Sequence, residues 1–294
     1  KDIIIPMIII RRLECALATR DASGKTRKQK VTEAYKKNPK TPQQVLERLA
    51  GYPFYNTSDY DLAGLLDEAP AIVENFHFYL ESFSPNIKDM LITRLKFKEK
   101  ISDLDKNNRL LGVVKKFSEL DLNPETIDGH KMGYMFEEII RRFSENAEAG
   151  DHYTPREVIR ALSSILLAEG CDDVFSEGKE ITVLDMACGT GGMLSTTHDF
   201  IKRMNPDATI RLFGQENNLS TSAIARMNLY LHGAKDVQIK QGDTLRNPLF
   251  LEKGRLKTFD CVLANPPFGM EKWGSAQFES DQYGRNMWGC PSDS

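Results

Sequence analysis

A chain of 294 residues with 40% apolar and 28% charged side chains has the composition of a globular protein and length enough for two ordinary domains. Its formal net charge of −3 excludes a wholly basic coat for nucleic acid, so binding to a polyanion has to come from a local cleft or from a partner. Five cysteines, odd in number and without a C-x-x-C pair, indicate neither a disulfide framework nor a zinc site and fit a reducing cytoplasm.

The longest apolar run near the start, IIIPMIII (Ile3 to Ile10), is far too short to span a bilayer and lacks the layout of a cleavable signal. It predicts a buried helix start with Pro6 in the first turn. The stretch RDASGKTRKQK (Arg20 to Lys30) carries five basic residues and one acid, and reads either as a solvated connection or as a contact for phosphate or an acidic partner. Apolar residues at three- and four-residue spacing in TPQQVLERLAG, DLAGLLDEAPAIVENFHFYL and NRLLGVVKKFSEL predict helices, with Pro42 near the start and Gly51 near the end of one of them. Residues 1–129 are therefore expected to form an all-helical domain.

From residue 130 to 294 helix and strand patterns alternate. MGYMFEEIIRRFSENAEAG predicts a helix ending at Gly150, and TPREVIRALSSILLAEG another, capped by Thr154 with Pro155 at its first position. Then come a strand EITVLDM, a glycine-rich turn, a helix through Met204, a strand TIRLFGQE, a helix STSAIARMNLYLHG, a strand VQIKQGD and a final strand FDCVLAN. Such spacing predicts a parallel, doubly wound α/β sheet. Only 25 polar, glycine-bearing residues follow Gly269, which would leave the last strand at an uncovered edge. The sheet is therefore expected to be incomplete after its fourth strand, the remainder lying outside this sequence.

In an open parallel sheet, ligands sit beyond the carboxyl ends of the strands at the point where strand order reverses. VLDMACGTGGML places Asp185 at the end of the first strand and Gly189, Thr190, Gly191 and Gly192 in the turn that follows. A dinucleotide fingerprint would need a third glycine where Leu194 stands, and an acid about 20 residues on; the acid closing the next strand is Glu216. The turn instead resembles that of S-adenosylmethionine-dependent methyltransferases, in which that acid takes the ribose hydroxyls. An ionised Glu216 only accepts hydrogen bonds and suits two hydroxyl donors, while Asp185 or the turn's backbone would hold the methionine end. Taken alone, the turn also reads as a ligand-free connection and Glu216 as a surface acid.

After the last strand come Asn265, Pro266, Pro267 and Phe268. Proline removes a backbone donor and restricts φ, so the sheet ends here in a stiff turn. An exocyclic amine on a base is a poor nucleophile because its lone pair is delocalised into the ring. A side-chain carbonyl from Asn265 and the backbone carbonyl of Pro266 can accept its two N–H bonds and favour a pyramidal nitrogen, with both acceptors oriented before substrate arrives. Phe268 offers a flat face, and base stacking contributes about 1–3 kcal/mol, comparable with the few kcal/mol that extruding a base costs. The plain alternative is a rigid loop with Phe268 packed in the core.

This quartet resembles the catalytic tetrapeptide of amino-methyltransferases, chiefly the DNA adenine-N6 enzymes. GDHYTPREVIRAL, FGQENN and ANPPFG, in that order and spacing, resemble the methylation subunit of type I restriction–modification systems, as do KDIIIPMIIIRRLE and MGYMFEEIIRRFSE. The resemblance implies that His152, Tyr153, Thr154 and Pro155 line the methionine side of S-adenosylmethionine, that Thr190, Gly191 and Gly192 form its glycine turn, that Glu216 is the ribose acid and that Asp243 contacts the cofactor's adenine. It further implies double-stranded DNA as substrate, with a separate specificity subunit and a restriction (nuclease/translocase) subunit as partners. No metal and no membrane are implied. Without the family, His152 reads as a loop histidine and Asp243 as a helix cap. Rival readings are methylation of cytosine N4, RNA guanine N2 or protein glutamine, and a non-catalytic DNA-clamping or assembly module that keeps the fold.

Overall fold

The apolar run near the amino terminus forms helix α1 (Ile4–Ala18), in which Ile5, Met7, Ile9, Ile10 and Leu17 are buried. The chain is seen in a computed structural model that describes residues 2–21, 23–144, 154–168, 176, 178–234, 236–267 and 270–290. It divides into two units, Lys1–Asp128 and Gly129–Ser294.

The first unit is helical. After α1 come α2 (Arg27–Lys37), α3 (Gln43–Ala50), α4 (Ile72–Glu81), α5 (Pro85–Lys88), α6 (Phe97–Lys106) and α7 (Leu110–Ser118). The expected helix DLAGLLDEAPAIVENFHFYL is broken: Gly64–Leu66 and Ala69–Ala71 are single 3₁₀ turns, and the α-helix begins only at Ile72, past Pro70. Gly51 ends α3 in a left-handed conformation with φ 68°, as a helix-terminating glycine does. The basic run Arg20–Lys30 is occupied within the unit. Arg20 donates to the Gly24 carbonyl, Lys25 pairs with Glu33, and Lys30 pairs with Asp21. Arg27 donates to Thr19 and the Ala50 carbonyl, and Lys28 to the Tyr60 carbonyl. These contacts tie the run to its own unit.

Glu14 of α1 is buried, and its carboxylate accepts from the Leu62 N–H (2.7 Å) and the Tyr79 hydroxyl (3.2 Å) while pairing with Arg11. Burial raises the Glu14 pKa, and the Leu62 N–H and Arg11 offset part of that penalty. Arg12, also buried, donates to the carbonyls of Leu122 and Ile127, each at 2.7 Å, so the first helix fixes the unit's last segment.

The second unit begins with α8 (Gly129–Ser144) and α9 (Arg156–Leu166). It continues with β1 (Glu180–Asp185), α10 (Gly192–Met204), β2 (Thr209–Glu216), α11 (Leu219–Leu231) and β3 (Asp236–Gln241). A short antiparallel pair, β4 (Leu251–Glu252) and β5 (Arg255–Leu256), precedes β6 (Cys261–Leu263), and α12 (Ser275–Phe278) follows. The main sheet has the order β3-β2-β1-β6 and all its pairings are parallel, the α/β arrangement expected from the alternating patterns.

Strand order runs one way from β1 to β3 and reverses for β6, so the switch point lies between β1 and β6. Right-handed crossovers in one direction place their helices on one face. Ile181, Val183, Leu212, Ile239, Cys261 and Leu263 accordingly share one core with α9, α10 and α11. The reversing crossover, residues 242–260, carries the β4–β5 pair where a doubly wound sheet would carry a helix. Its Phe250 and Phe259 pack edge-on against Phe213, over Leu184 on the opposite face. Among the described residues no helix is long and apolar enough to cross a membrane.

Candidate functional site

β1 ends on Asp185, which is 2% exposed. Its Oδ1 accepts the Ala187 N–H at 3.0 Å. Burial pushes the carboxyl up to about 7, partly offset by that hydrogen bond, and the nearby Glu216 carboxylate raises it further. The glycine turn then runs over the strand ends with Gly189 and Gly191 at φ 52° and 80°, values an L side chain rarely adopts. A Cβ on Gly191 would meet the Ala225 carbonyl at 3.3 Å, so α11 comes close beneath the turn. From α11, the fully buried Asn228 donates its Nδ2 to the Thr190 carbonyl at 3.0 Å.

Glu216, at the end of β2, faces this turn. Its Oε2 accepts the Gly189 N–H at 3.1 Å and its Oε1 accepts the Asn218 N–H at 2.7 Å. Each carboxylate oxygen keeps a further lone pair, so two more donors, such as the hydroxyls of a 1,2-diol, can be accepted without breaking either bond. Below the turn, the absence of a side chain at Gly214 leaves room for Cys188: a Cβ there would lie 2.8 Å from its Sγ.

Asp243 follows β3. Its Oδ1 accepts the N–H groups of Leu245 (2.9 Å) and Arg246 (3.2 Å), capping a tight turn with no helix behind it. The Thr244 hydroxyl donates to the Met186 carbonyl at 2.6 Å, which ties this loop to the end of β1. Buried Gln215 anchors the same loop from below, donating to the Gly242 and Asn247 carbonyls and accepting the Leu249 N–H.

Leu263 pairs with Asp185, so Asn265 emerges from β6 two residues beyond the last pairing, beside the end of β1. It is half-buried, and its Nδ2 donates to the Thr154 hydroxyl at 2.8 Å. That bond uses the amide's donor side and leaves Oδ1 as an acceptor. Thr154 was expected to cap α9, but Pro155 occupies the cap position and no side chain caps that end. The hydroxyl goes to Asn265 instead. Pro266 and Pro267 are exposed. His152, Tyr153 and Phe268 lie outside the described residues.

The structure therefore brings together Thr154, Asp185, Gly189, Thr190, Glu216, Asp243 and Asn265 around the carboxyl ends of β1, β2, β3 and β6. Sequence reasoning missed Asn228 and Gln215, which position loops rather than face the cleft. Burial is their only signature, and an amide inside an apolar helix pattern, as in ARMNLYL, is the one clue the sequence offers. Among the described residues no group of three or more His, Cys, Asp or Glu is placed to hold a metal ion.

Asp185 carries a pH signature. The native carboxyl binds its proton up to about pH 7, whereas the unfolded one releases it near its ordinary value of 3.8. Between those values the folded state holds more protons, so stability falls as pH rises, by roughly 4 kcal/mol in total. Asp185→Asn removes this loss. In urea titrations of the unliganded chain, its unfolding midpoint is expected to exceed that of the wild type at pH 8 and to converge with it near pH 4. Parallel midpoints at all pH values contradict the assignment.

A family model described as N-6 DNA Methylase matches residues 127–293, and one described as HsdM N-terminal domain matches residues 1–117. Curated relatives include the type I restriction enzyme MjaVII methylase subunit of Methanocaldococcus jannaschii, 33% identical over 162 residues, covering 54% of this chain and 25% of the relative. The MjaIX methylase subunit of the same organism is 23% identical over 300 residues, covering 96% of this chain and 49% of the relative. The EcoEI methylase subunit of Escherichia coli is 31% identical over 173 residues, covering 56% and 33%. The chain thus spans between a quarter and a half of the length of these relatives. Among solved structures, the methyltransferase subunit of a type I restriction–modification system from Streptococcus thermophilus shares the fold with a TM-score of 0.64 at 21% identity, over 100% of this chain and 62% of that one.

Proposed function

The chain belongs to the N-6 DNA methylase family, and from that premise we propose that it acts in the methylation subunit of a type I restriction–modification system, moving a methyl group from S-adenosylmethionine to N6 of an adenine swung out of duplex DNA. The observation that carries this reading is the placement of Asn265. Its amide is tethered through Nδ2 to Thr154, and among the described residues its side-chain carbonyl accepts no hydrogen bond at the switch point beside Asp185.

S-adenosylmethionine supplies, when bound, an electrophilic methyl group on a cationic sulfur. The residues fit such a ligand. Glu216 keeps acceptor capacity for two ribose hydroxyls, and Gly189 and Gly191 open the backbone of the turn for close approach. Asp185 is poised to ionise beside a cationic methionine end, and Asp243 stands at the end of β3 for the adenine. Asn265 Oδ1 and the Pro266 carbonyl accept the two N–H bonds of the target amine, localising its lone pair towards the donor. Orientation is set beforehand, so little is spent on organising it during the reaction. Phe268 serves as the stacking face for the extruded base. The helical first unit holds partners or duplex, a separate specificity subunit reads the DNA sequence, and a restriction subunit joins the same complex.

The test is label transfer from methyl-tritiated S-adenosylmethionine in the presence of the specificity subunit, offering duplex DNA, RNA and protein as acceptors. Digestion of the DNA product is expected to yield labelled N6-methyladenine. Label confined to cytosine, RNA or protein overturns the assignment of substrate, and absence of cofactor binding overturns the enzymatic reading in favour of a structural module.

A further inference from the structure

Downstream of the hook, as the proline turn that begins at Asn265 is termed, the chain returns to the loop behind β3 and is fastened there chiefly by Arg285. Arg285 donates through Nη1 to the Thr244 carbonyl and through Nη2 to the Leu245 carbonyl, each at 2.7 Å. Its Nε and Nη2 also donate to the two carboxylate oxygens of Asp281, at 3.1 and 2.6 Å. The Arg285 and Asp281 side chains are only 18% and 6% exposed. Asp281 is itself fixed, accepting the backbone N–H groups of Tyr283 (3.2 Å) and Arg285 (2.8 Å). The guanidinium also lies against the rings of Phe278 and Tyr283, 5.3 and 5.8 Å from their centroids.

An exposed ion pair would contribute little. This arrangement differs, because a planar fork bonds two successive carbonyls and a carboxylate at once, which an ammonium cannot reproduce. The carbonyls concerned belong to the residues directly after Asp243. Thr244 in turn reaches the Met186 carbonyl, and the Asp243 carboxylate depends on the Leu245 and Arg246 amides. A second strap runs alongside: Arg246 donates to the Lys272 carbonyl at 3.4 Å, and Gly274, at φ 102°, lets it pass where a Cβ would come within 3.0 Å of its Nε.

We propose that Arg285 is a positioning residue: it latches the segment that follows the hook onto the Asp243–Arg246 loop and so holds the adenine side of the cofactor site in register with the catalytic side. The effect on cofactor rests on the functional reading above, whereas the latch itself does not.

The experiment compares the full wild-type chain with Arg285→Ala, Arg285→Lys and Asp281→Asn, using amide hydrogen exchange at Leu245 and Arg246, thermal melting, and calorimetry with S-adenosylmethionine and S-adenosylhomocysteine. Both Arg285 variants are expected to exchange these amides at least about tenfold faster and to bind either ligand about tenfold more weakly, the scale of one charge-assisted bond. Lysine fails to rescue, and Asp281→Asn falls between the wild type and the Arg285 variants. Unchanged exchange in Arg285→Lys overturns the latch, and this milder variant decides the matter where Arg285→Ala does not fold. Faster exchange with unchanged affinity overturns the positioning role. Wild-type protein that binds neither ligand overturns the functional reading instead, with the exchange readout still deciding the latch.

Discussion

Asn265→Ala is expected to lower methyl transfer at saturating cofactor by about a hundred- to a thousandfold, the usual cost of deleting one preorganised polar group at a reacting centre. Its loss should appear in kcat, because the carbonyl meets the target amine only as the nitrogen changes shape. Cofactor affinity should stay within about twofold, since the one side-chain hydrogen bond of Asn265 among the described residues runs to Thr154 and not to the glycine turn. The Thr154 tether sharpens the expectation. With the hydroxyl removed in Thr154→Val, the amide is free to turn, presenting nitrogen to an amine that needs an acceptor. A loss of about tenfold in kcat follows from such misorientation. Single-turnover methylation, paired with calorimetry on the same preparations, separates the two quantities. Equal losses of binding and rate in Asn265→Ala would place this residue in the cofactor site and refute the assigned role.

Glu216→Ala has the second large effect, on the opposite quantity. Its carboxylate does two things at once, holding the Gly189 and Asn218 N–H groups and presenting acceptors to the cleft. Hydrogen bonds to a charged group contribute about 1.5–3 kcal/mol each, so losing those to a ribose, with the turn loosened as well, weakens cofactor binding by roughly a hundredfold or more. Rate at saturating cofactor should change far less. Glu216→Gln retains one acceptor and should fall between the two. If equilibrium dialysis with labelled S-adenosylmethionine shows the alanine variant binding like the wild type, Glu216 is no ribose acid.

Local rules explain why so much of this site was legible. A strand that stops on a carboxylate, a turn of closely spaced glycines and a strand that stops on proline each leave a local pattern, so the sequence places Asp185, Glu216 and Asn265 at strand ends and Gly189 and Gly191 in the turn after the first strand. Of the readings of Thr154, the helix cap is the one the structure does not form. A threonine before proline at a helix start satisfies the capping rule, and only tertiary pairing with a side chain 111 positions away overrides it. Asn228 and Gln215 were invisible for the same reason, because their partners are carbonyls of distant loops. The β4–β5 pair was missed because strands of two residues have no periodicity to detect.

The reversal of strand order at β1 has a consequence for assembly in time. β1, β2 and β3, with α10 and α11 between neighbours, form by closing short loops, and they already contain Asp185, the glycine turn, Glu216 and the approach to Asp243. β6 joins by closing across 78 residues, marked by the Asp260 carboxylate that accepts from Thr182 at 2.8 and 2.6 Å. Long closures are slow, since their entropy is lost before any contact rewards it. A growing chain is therefore expected to form the Asp185–Glu216 side of the site before the Asn265 side. Pulse-labelled hydrogen exchange during refolding is expected to protect the Leu212 amide before that of Val262, and the reverse order would show that the hook is part of the nucleus.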